Sequence, residues 1–131
     1  MSLDGLFKPT SIAVYGASAT DSRKLGNTLL ANAAGGAGEV LAVHPSAETI
    51  DDIPAVAALD RPVDLALISV PGHRVEAAVS DAATGGAKSG IILSSGFGET
   101  GVEGRAVQDR IAANATAAGM RLVGPNCMGV V

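Results

Sequence analysis

A chain of 131 residues is long enough to bury one hydrophobic core but too short for two, so we expect a single domain spanning residues 1–131. The net charge of −4 excludes the broad basic surface that nucleic-acid binding requires. No apolar run approaches the roughly 20 residues that span a bilayer, and no signal segment opens the chain, so we expect a cytoplasmic protein without a membrane partner. The single cysteine, Cys127, excludes an internal disulfide and a cysteine-based metal cage, and we expect no metal site.

Short apolar runs alternate with segments of helical spacing along the chain. The runs, which predict strands, are residues 12–15, 40–43, 65–70, 90–93 and 120–123. The helical segments are residues 27–34, a weak one at 53–59, 73–84 and 103–118. Strands without polar alternation are typical of parallel sheets buried on both faces. The pattern predicts an α/β fold: a Rossmann-like, doubly wound, mainly parallel five-stranded sheet with helices on both faces, whose ligand site lies at the carboxyl ends of the strands.

The first loop, residues 16–27, joins the first strand to the first helix. Gly16 at its turn lets backbone N–H groups approach a phosphate, and the helix N-terminus adds unpaired donors and the positive end of a dipole. Side chains of Lys24 and Ser18 can add contacts. The loop is not the dinucleotide motif G-x-G-x-x-G, because Ser18 replaces the second glycine, and it is not a P-loop. A role in shaping the turn alone remains the alternative.

The second loop argues against a nicotinamide dinucleotide. Such a domain places Asp or Glu at the end of the second strand to bind the ribose hydroxyls, whereas here the strand runs into His44 and Pro45. His44 has two interpretations that the sequence leaves open, a contact to phosphate or adenine and a structural or solvent-facing side chain.

The last two loops also follow buried strands. In residues 94–99, Phe97 either stacks on a ligand or caps the core. In residues 124–129, Cys127 invites assignment as a nucleophile, but its only candidate bases are His44 and His73, and a packed, unreactive thiol is favoured. We therefore predict no catalytic residue.

Six pieces of the sequence carry a resemblance to a known family: Gly16-Ala17-Ser18, Lys24-Leu25-Gly26-Asn27, Val43-His44-Pro45, Ser69-Val70-Pro71, Ser95-Gly96-Phe97-Gly98-Glu99 and Gly124-Pro125-Asn126-Cys127-Met128-Gly129. Their order and spacing resemble the CoA-binding domain of NDP-forming acyl-CoA synthetases, whose members include the succinyl-CoA synthetase α-subunit. The chain is also similar to the synthetase-like region of bacterial protein lysine acetyltransferases. The resemblance runs from Leu6 to Val131.

The resemblance implies coenzyme A as the cofactor and distributes its parts over the loops. It assigns the phosphates to the segment around Ala17, with contacts from Gly16, Ser18, Lys24, Gly26 and Asn27. It assigns the adenine side to Val70 and Pro71, and the pantetheine and thiol to Ser95, Gly96, Asn126 and Cys127. One departure is at His44-Pro45-Ser46, where the family commonly has Asn-Pro-Lys, so that a lysine contact to a CoA phosphate is lost.

Partners also follow from the resemblance. In the family the phosphorylated histidine lies in the next domain, and the ATP-grasp unit lies further along or on another chain. His44 and His73 match no phosphohistidine motif. The resemblance therefore implies a chain that binds CoA without catalysing alone, and whose partners are downstream ligase domains or an ATP-grasp subunit.

Two other functions remain as alternatives. One is a free-standing CoA-binding regulatory module without a ligase partner. The other is an NAD(P)-binding oxidoreductase domain, which the missing acid after the second strand and the absent G-x-G-x-x-G motif both disfavour.

Overall fold

Strands and helices alternate along the chain in the computed structural model, which describes residues 10–21, 24–36, 38–70, 72–93 and 102–123. The strands are β1 (Ser11–Tyr15), β2 (Glu39–Val43), β3 (Thr49–Ile50), β4 (Ile53–Val56), β5 (Val63–Ile68), β6 (Ala87–Ile92) and β7 (Arg121–Val123). The helices are α1 (Leu25–Gly36), α2 (Gly72–Gly85) and α3 (Val102–Ala117). Among the helices of the described residues, none combines the length and apolar character needed to cross a membrane.

Within the described residues the seven strands lie in one sheet, in the order β3-β4-β2-β1-β5-β6-β7. Every pairing is parallel except that between β3 and β4. The chain leaves β1 toward β2 on one side and later returns to pair β5 on the other, with Tyr15 opposite both Val43 and Ile68. This reversal of strand order next to β1 creates a crevice at the carboxyl ends of β1 and β5, which is where open α/β sheets bind ligands.

Helices cover both faces of the sheet. On one face Leu30 of α1 packs with Val14 of β1. On the other face Val75 and Val79 of α2 pack together with Ile111 of α3. The predicted class, a Rossmann-like, doubly wound and mainly parallel sheet with helices on both faces, is therefore confirmed.

The second quarter of the chain differs from the prediction, because the part of the chain that the structure describes forms a sheet of seven strands and not five. Residues 53–59 were expected to form a weak helix, but they begin with β4, whose Ala55 lies opposite Ala42 of β2. Asp51 and Asp52 form a two-residue turn with positive φ angles of 51° and 68°, which folds β3 back onto β4. Periodicity cannot separate a helix from a strand in so short an apolar run.

Two glycines allow α1 and β5 to approach the end of β1 closely. Gly16 has a φ of 105°, and a Cβ there would collide with the Ser69 carbonyl oxygen. A Cβ on Gly26 would lie 2.5 Å from the carbonyl carbon of Gly16 and 2.6 Å from the nitrogen of Ala17. The protein's own backbone therefore requires glycine at both positions, in addition to any ligand.

We predict that Gly26→Ala destabilises the protein by about 1–3 kcal/mol, because the added methyl group must push the loop after β1 aside. Gly35→Ala is the matched control in the same helix, since a Cβ there meets nothing within 4 Å. It should be neutral or stabilising by up to about 1 kcal/mol, through the higher helix propensity of alanine. Urea denaturation measures both variants, and equal stabilities would contradict the close contact.

Candidate functional site

A cavity of about 750 Å³ opens at the carboxyl ends of β1 and β5. Such a volume lies in the range of small-molecule and cofactor sites, roughly 300–1,000 Å³. The cavity brings together residues predicted from three separate parts of the sequence: Gly16, Ala17, Ser18, Lys24, Gly26, His44, Pro45 and Val70. The predicted residues Pro71, Ser95, Gly96, Phe97, Asn126 and Cys127 lie outside the described residues.

The loop after β1 is held in shape by Ser18. Its Oγ accepts hydrogen bonds from the backbone N–H groups of Thr20 at 3.1 Å and Asp21 at 3.0 Å. A hydroxyl that bonds the chain two and three residues ahead stabilises a turn locally. Ser18 therefore shapes the loop while it also lines the cavity.

Asn27 lies behind this loop and is only 2% exposed. Its Oδ1 accepts from the N–H of Ser18 at 2.7 Å, and its Nδ2 donates to the carbonyl of Ser18 at 3.0 Å. The same Nδ2 donates to Oδ2 of Asp51 at 2.9 Å. Both amide hydrogens are thus used within the protein, and Asn27 is absent from the described cavity wall. The geometry therefore gives Asn27 a supporting position behind the loop.

Two cations and the N-terminus of α1 line the cavity. Lys24 precedes α1, where its carbonyl accepts from the N–H groups of Asn27 and Thr28 at 3.0 and 3.2 Å. Arg74 lies in the first turn of α2 and lines the same cavity. Sequence reasoning missed Arg74, although a basic residue in the first turn of a helix that follows a strand was a usable signal. Cationic side chains and helix N-termini together favour an anionic ligand.

His44 has a structural role in the loop after β2. Its Nδ1 accepts from the backbone N–H groups of Ser46 at 3.1 Å and Ala47 at 2.9 Å, which fixes the loop after β2. Because a neutral ring nitrogen that accepts carries no hydrogen, these bonds assign the proton to Nε2. His44 also lines the cavity.

Tyr15 and Asp81 form a polar pair in the cavity wall that sequence reasoning missed. The phenol of Tyr15 donates to Oδ2 of Asp81 at 2.6 Å, and the N–H of Leu59 donates to the same oxygen at 3.0 Å. Burial, with the Asp81 carboxylate adding to it, raises the pKa of Tyr15 far above its ordinary value. The phenol therefore stays protonated and serves as a fixed part of the wall. Two features of the sequence could have indicated this pair. Asp81 is an acid within the apolar stripe of α2, and Tyr15 is the chain's single tyrosine.

Comparison with known proteins places these features in a family. Residues 10–131 match the family described as "CoA binding domain". Acetate–CoA ligase (ADP-forming) I of Archaeoglobus fulgidus is 36% identical over 132 residues, which cover 98% of this chain and 19% of that protein. The alpha subunit of acetate–CoA ligase (ADP-forming) II of Pyrococcus furiosus is 37% identical over 133 residues, which cover 98% of this chain and 29% of that subunit. The chain thus spans less than a third of the length of these curated relatives.

Solved structures agree in fold. The apo form of dinucleotide forming acetyl-coenzyme A synthetase 1 from Ca. Korarchaeum cryptofilum superposes with a TM-score of 0.86 at 33% identity, over 95% of this chain and 28% of that one. A conserved hypothetical protein from Pyrococcus furiosus, at 23% identity and a TM-score of 0.63, shares the fold alone. Since the family match extends over nearly the whole sequence, from residue 10 to residue 131, this chain belongs to the CoA binding domain family.

Proposed function

We propose that this chain binds coenzyme A in the cavity between β1 and β5, as the CoA-binding part of a longer NDP-forming acyl-CoA ligase. The observation that carries the proposal is the convergence of Lys24, Arg74 and the N-terminus of α1 on one cavity. CoA carries a diphosphate and a further 3′-phosphate, so it needs several donors and positive charges close together. Charge-assisted contacts from lysine and arginine are the strongest that such phosphates find in proteins.

The proposal extends to the parts of the cofactor. The diphosphate lies against the loop of Gly16 and the start of α1, between the two cations. The adenine lies against Val70 and Pro71, and the N–H of His44 reaches a phosphate or ribose oxygen. We assign the pantetheine arm and the thiol to Ser95, Gly96, Asn126 and Cys127, as the family resemblance implies.

Arg74 compensates for the lysine that is missing from the second loop. The position that the family commonly fills with that lysine is Ser46, which is exposed. Arg74 approaches the same cavity from α2, on the other side of β1, and brings a planar guanidinium that binds phosphate oxygens in pairs. The chain therefore keeps two cations for the CoA phosphates.

The polar groups near β2 argue against a nicotinamide dinucleotide. The strand ends at Val43, and the next residue, His44, has its Nδ1 occupied by backbone donors. The carboxylate of Asp51, further along, accepts from Asn27. Among the described residues no free acid follows β2 in the position that binds ribose hydroxyls in NAD domains.

Catalysis then belongs to the complete ligase. An acyl phosphate formed on downstream domains or on an ATP-grasp subunit meets the CoA thiol held here, and the thiol displaces phosphate to form the thioester. We place this reaction in the cytoplasm. The chain alone binds CoA and does not turn over.

Thermal unfolding tests the choice of cofactor. A ligand that binds only the native state at a concentration 100 times its Kd stabilises the protein by about 2.7 kcal/mol. We expect CoA to raise the Tm by several degrees, while NAD and NADP at the same concentration leave it unchanged. A shift with NAD and none with CoA would contradict the proposed function.

Titration calorimetry tests the two cations. Lys24→Ala and Arg74→Ala should each weaken CoA binding by about 1–3 kcal/mol, the scale of a charge-assisted hydrogen bond. Lys88→Ala is the matched control, because its ammonium lies 3.6 Å from Asp64 near the amino ends of β5 and β6, away from the cavity. An equal loss of affinity in all three variants would mean that only net charge matters, and would remove both cations from the site.

A further inference from the structure

The loop that faces the cavity is fixed from behind by one buried side chain. Asn27 binds both the N–H and the C=O of Ser18, as a neighbouring strand would. With 2% exposure, its amide has no direct access to water as an alternative partner. A buried amide whose donors are all satisfied has one preferred orientation, and the backbone that it binds is held with it.

The second support comes from the β3–β4 hairpin, at the edge of the sheet. Asp51 is the first residue of its two-residue turn and accepts the remaining hydrogen of Asn27 Nδ2 at 2.9 Å. Both turn residues have positive φ, a conformation for which glycine or asparagine is usually selected. Asp51 has a carboxylate that glycine lacks, and that carboxylate connects the hairpin to the loop after β1.

We propose that Asn27 and Asp51 are positioning residues, which hold the loop of residues 16–18 in the conformation that accepts the CoA phosphates. This inference rests on the proposed function. Gly16, Ala17 and Ser18 line the cavity, whereas the two positioning residues are absent from its described wall. They act on the cofactor only through Ser18, so that a hairpin at the sheet edge controls the affinity of a site in the middle of the sheet.

The negative charge of Asp51, taken alone, would weaken CoA binding, whereas its hydrogen bond to Asn27 supports it. A carboxylate close to a phosphate-binding loop repels the ligand, so removing its charge should strengthen binding if electrostatics were its only influence. Removing the Asp51 carboxylate leaves the second Nδ2 hydrogen of Asn27 without a protein acceptor. The hydrogen bonds between Asn27 and Ser18 are then weakened. The hydrogen bond and the charge therefore predict changes of opposite sign, and substitution can separate them.

Three variants of the hairpin turn separate the effect of the hydrogen bond from the effect of the charge. Asp51→Gly keeps the positive φ and removes the acceptor, whereas Asp51→Asn keeps the φ and an acceptor oxygen and removes the charge. Asp52→Gly is the control, since it removes the adjacent carboxylate from the same turn. By calorimetry with CoA we expect the Kd of Asp51→Gly to rise roughly three- to tenfold. Asp51→Asn and Asp52→Gly should bind at least as tightly as the unsubstituted chain.

Amide hydrogen exchange at Ser18 gives a readout that does not need the cofactor. The Ser18 N–H donates to Asn27, so its exchange should accelerate in Asp51→Gly and stay slow in Asp51→Asn. Unchanged CoA affinity in Asp51→Gly, or equal losses in Asp51→Gly and Asp51→Asn, would overturn the positioning role. If the unsubstituted chain fails to bind CoA, the proposed function is wrong. If the Ser18 N–H exchanges at the same rate in all variants, the link from Asp51 through Asn27 to Ser18 is wrong, whether or not CoA binds.

Discussion

The close contact of three backbone segments where β1 ends determines the shape of the site. Gly16 lies against the carbonyl of Ser69, and Gly26 lies against Gly16 itself, at distances that no Cβ could occupy. Strand β5, the loop after β1 and helix α1 are thereby brought closer than ordinary side-chain packing allows. A ligand that contacts the loop after β1 therefore also lies close to the N-terminus of α1.

Around this contact the buried polar groups pair with one another. Asn27 forms hydrogen bonds with Ser18 and Asp51. Asp81 accepts hydrogen bonds from the phenol of Tyr15 and the N–H of Leu59. These pairs join loops and helices that are distant in sequence, which fixes the cavity wall before any ligand arrives. A wall that is already ordered spares the ligand the entropy cost of ordering it. Lys24 and Arg74 line the same wall, so both cations stand in a frame that is already ordered.

Sequence reasoning was successful where the pattern is local. Uninterrupted apolar runs predicted the parallel strands, and the glycine-rich connection after β1 predicted a loop that lines the cavity. It failed for residues 53–59, because the hairpin depends on a turn of two aspartates with positive φ. The amino-acid composition does not predict that conformation. It also missed Arg74 and the partner of Asn27, since both depend on which distant segments the sheet brings together. The resemblance grouped residues by the part of the ligand they bind. Only the structure distinguishes Ser18, which lines the cavity, from Asn27, which supports the loop from behind.

We propose that CoA binds at the carboxyl ends of β1 and β5, with its phosphates against the start of α1. A titration of the ¹⁵N-labelled protein with CoA, followed by ¹H–¹⁵N correlation spectra, tests this most directly. We predict that the largest shift changes fall on the amides of Gly16, Ala17, Leu25 and Gly26, while amides at the opposite edge, such as those of Thr10 and Lys88, stay in place. Changes concentrated at Thr10 and Lys88, or no change at saturating CoA, would contradict the account.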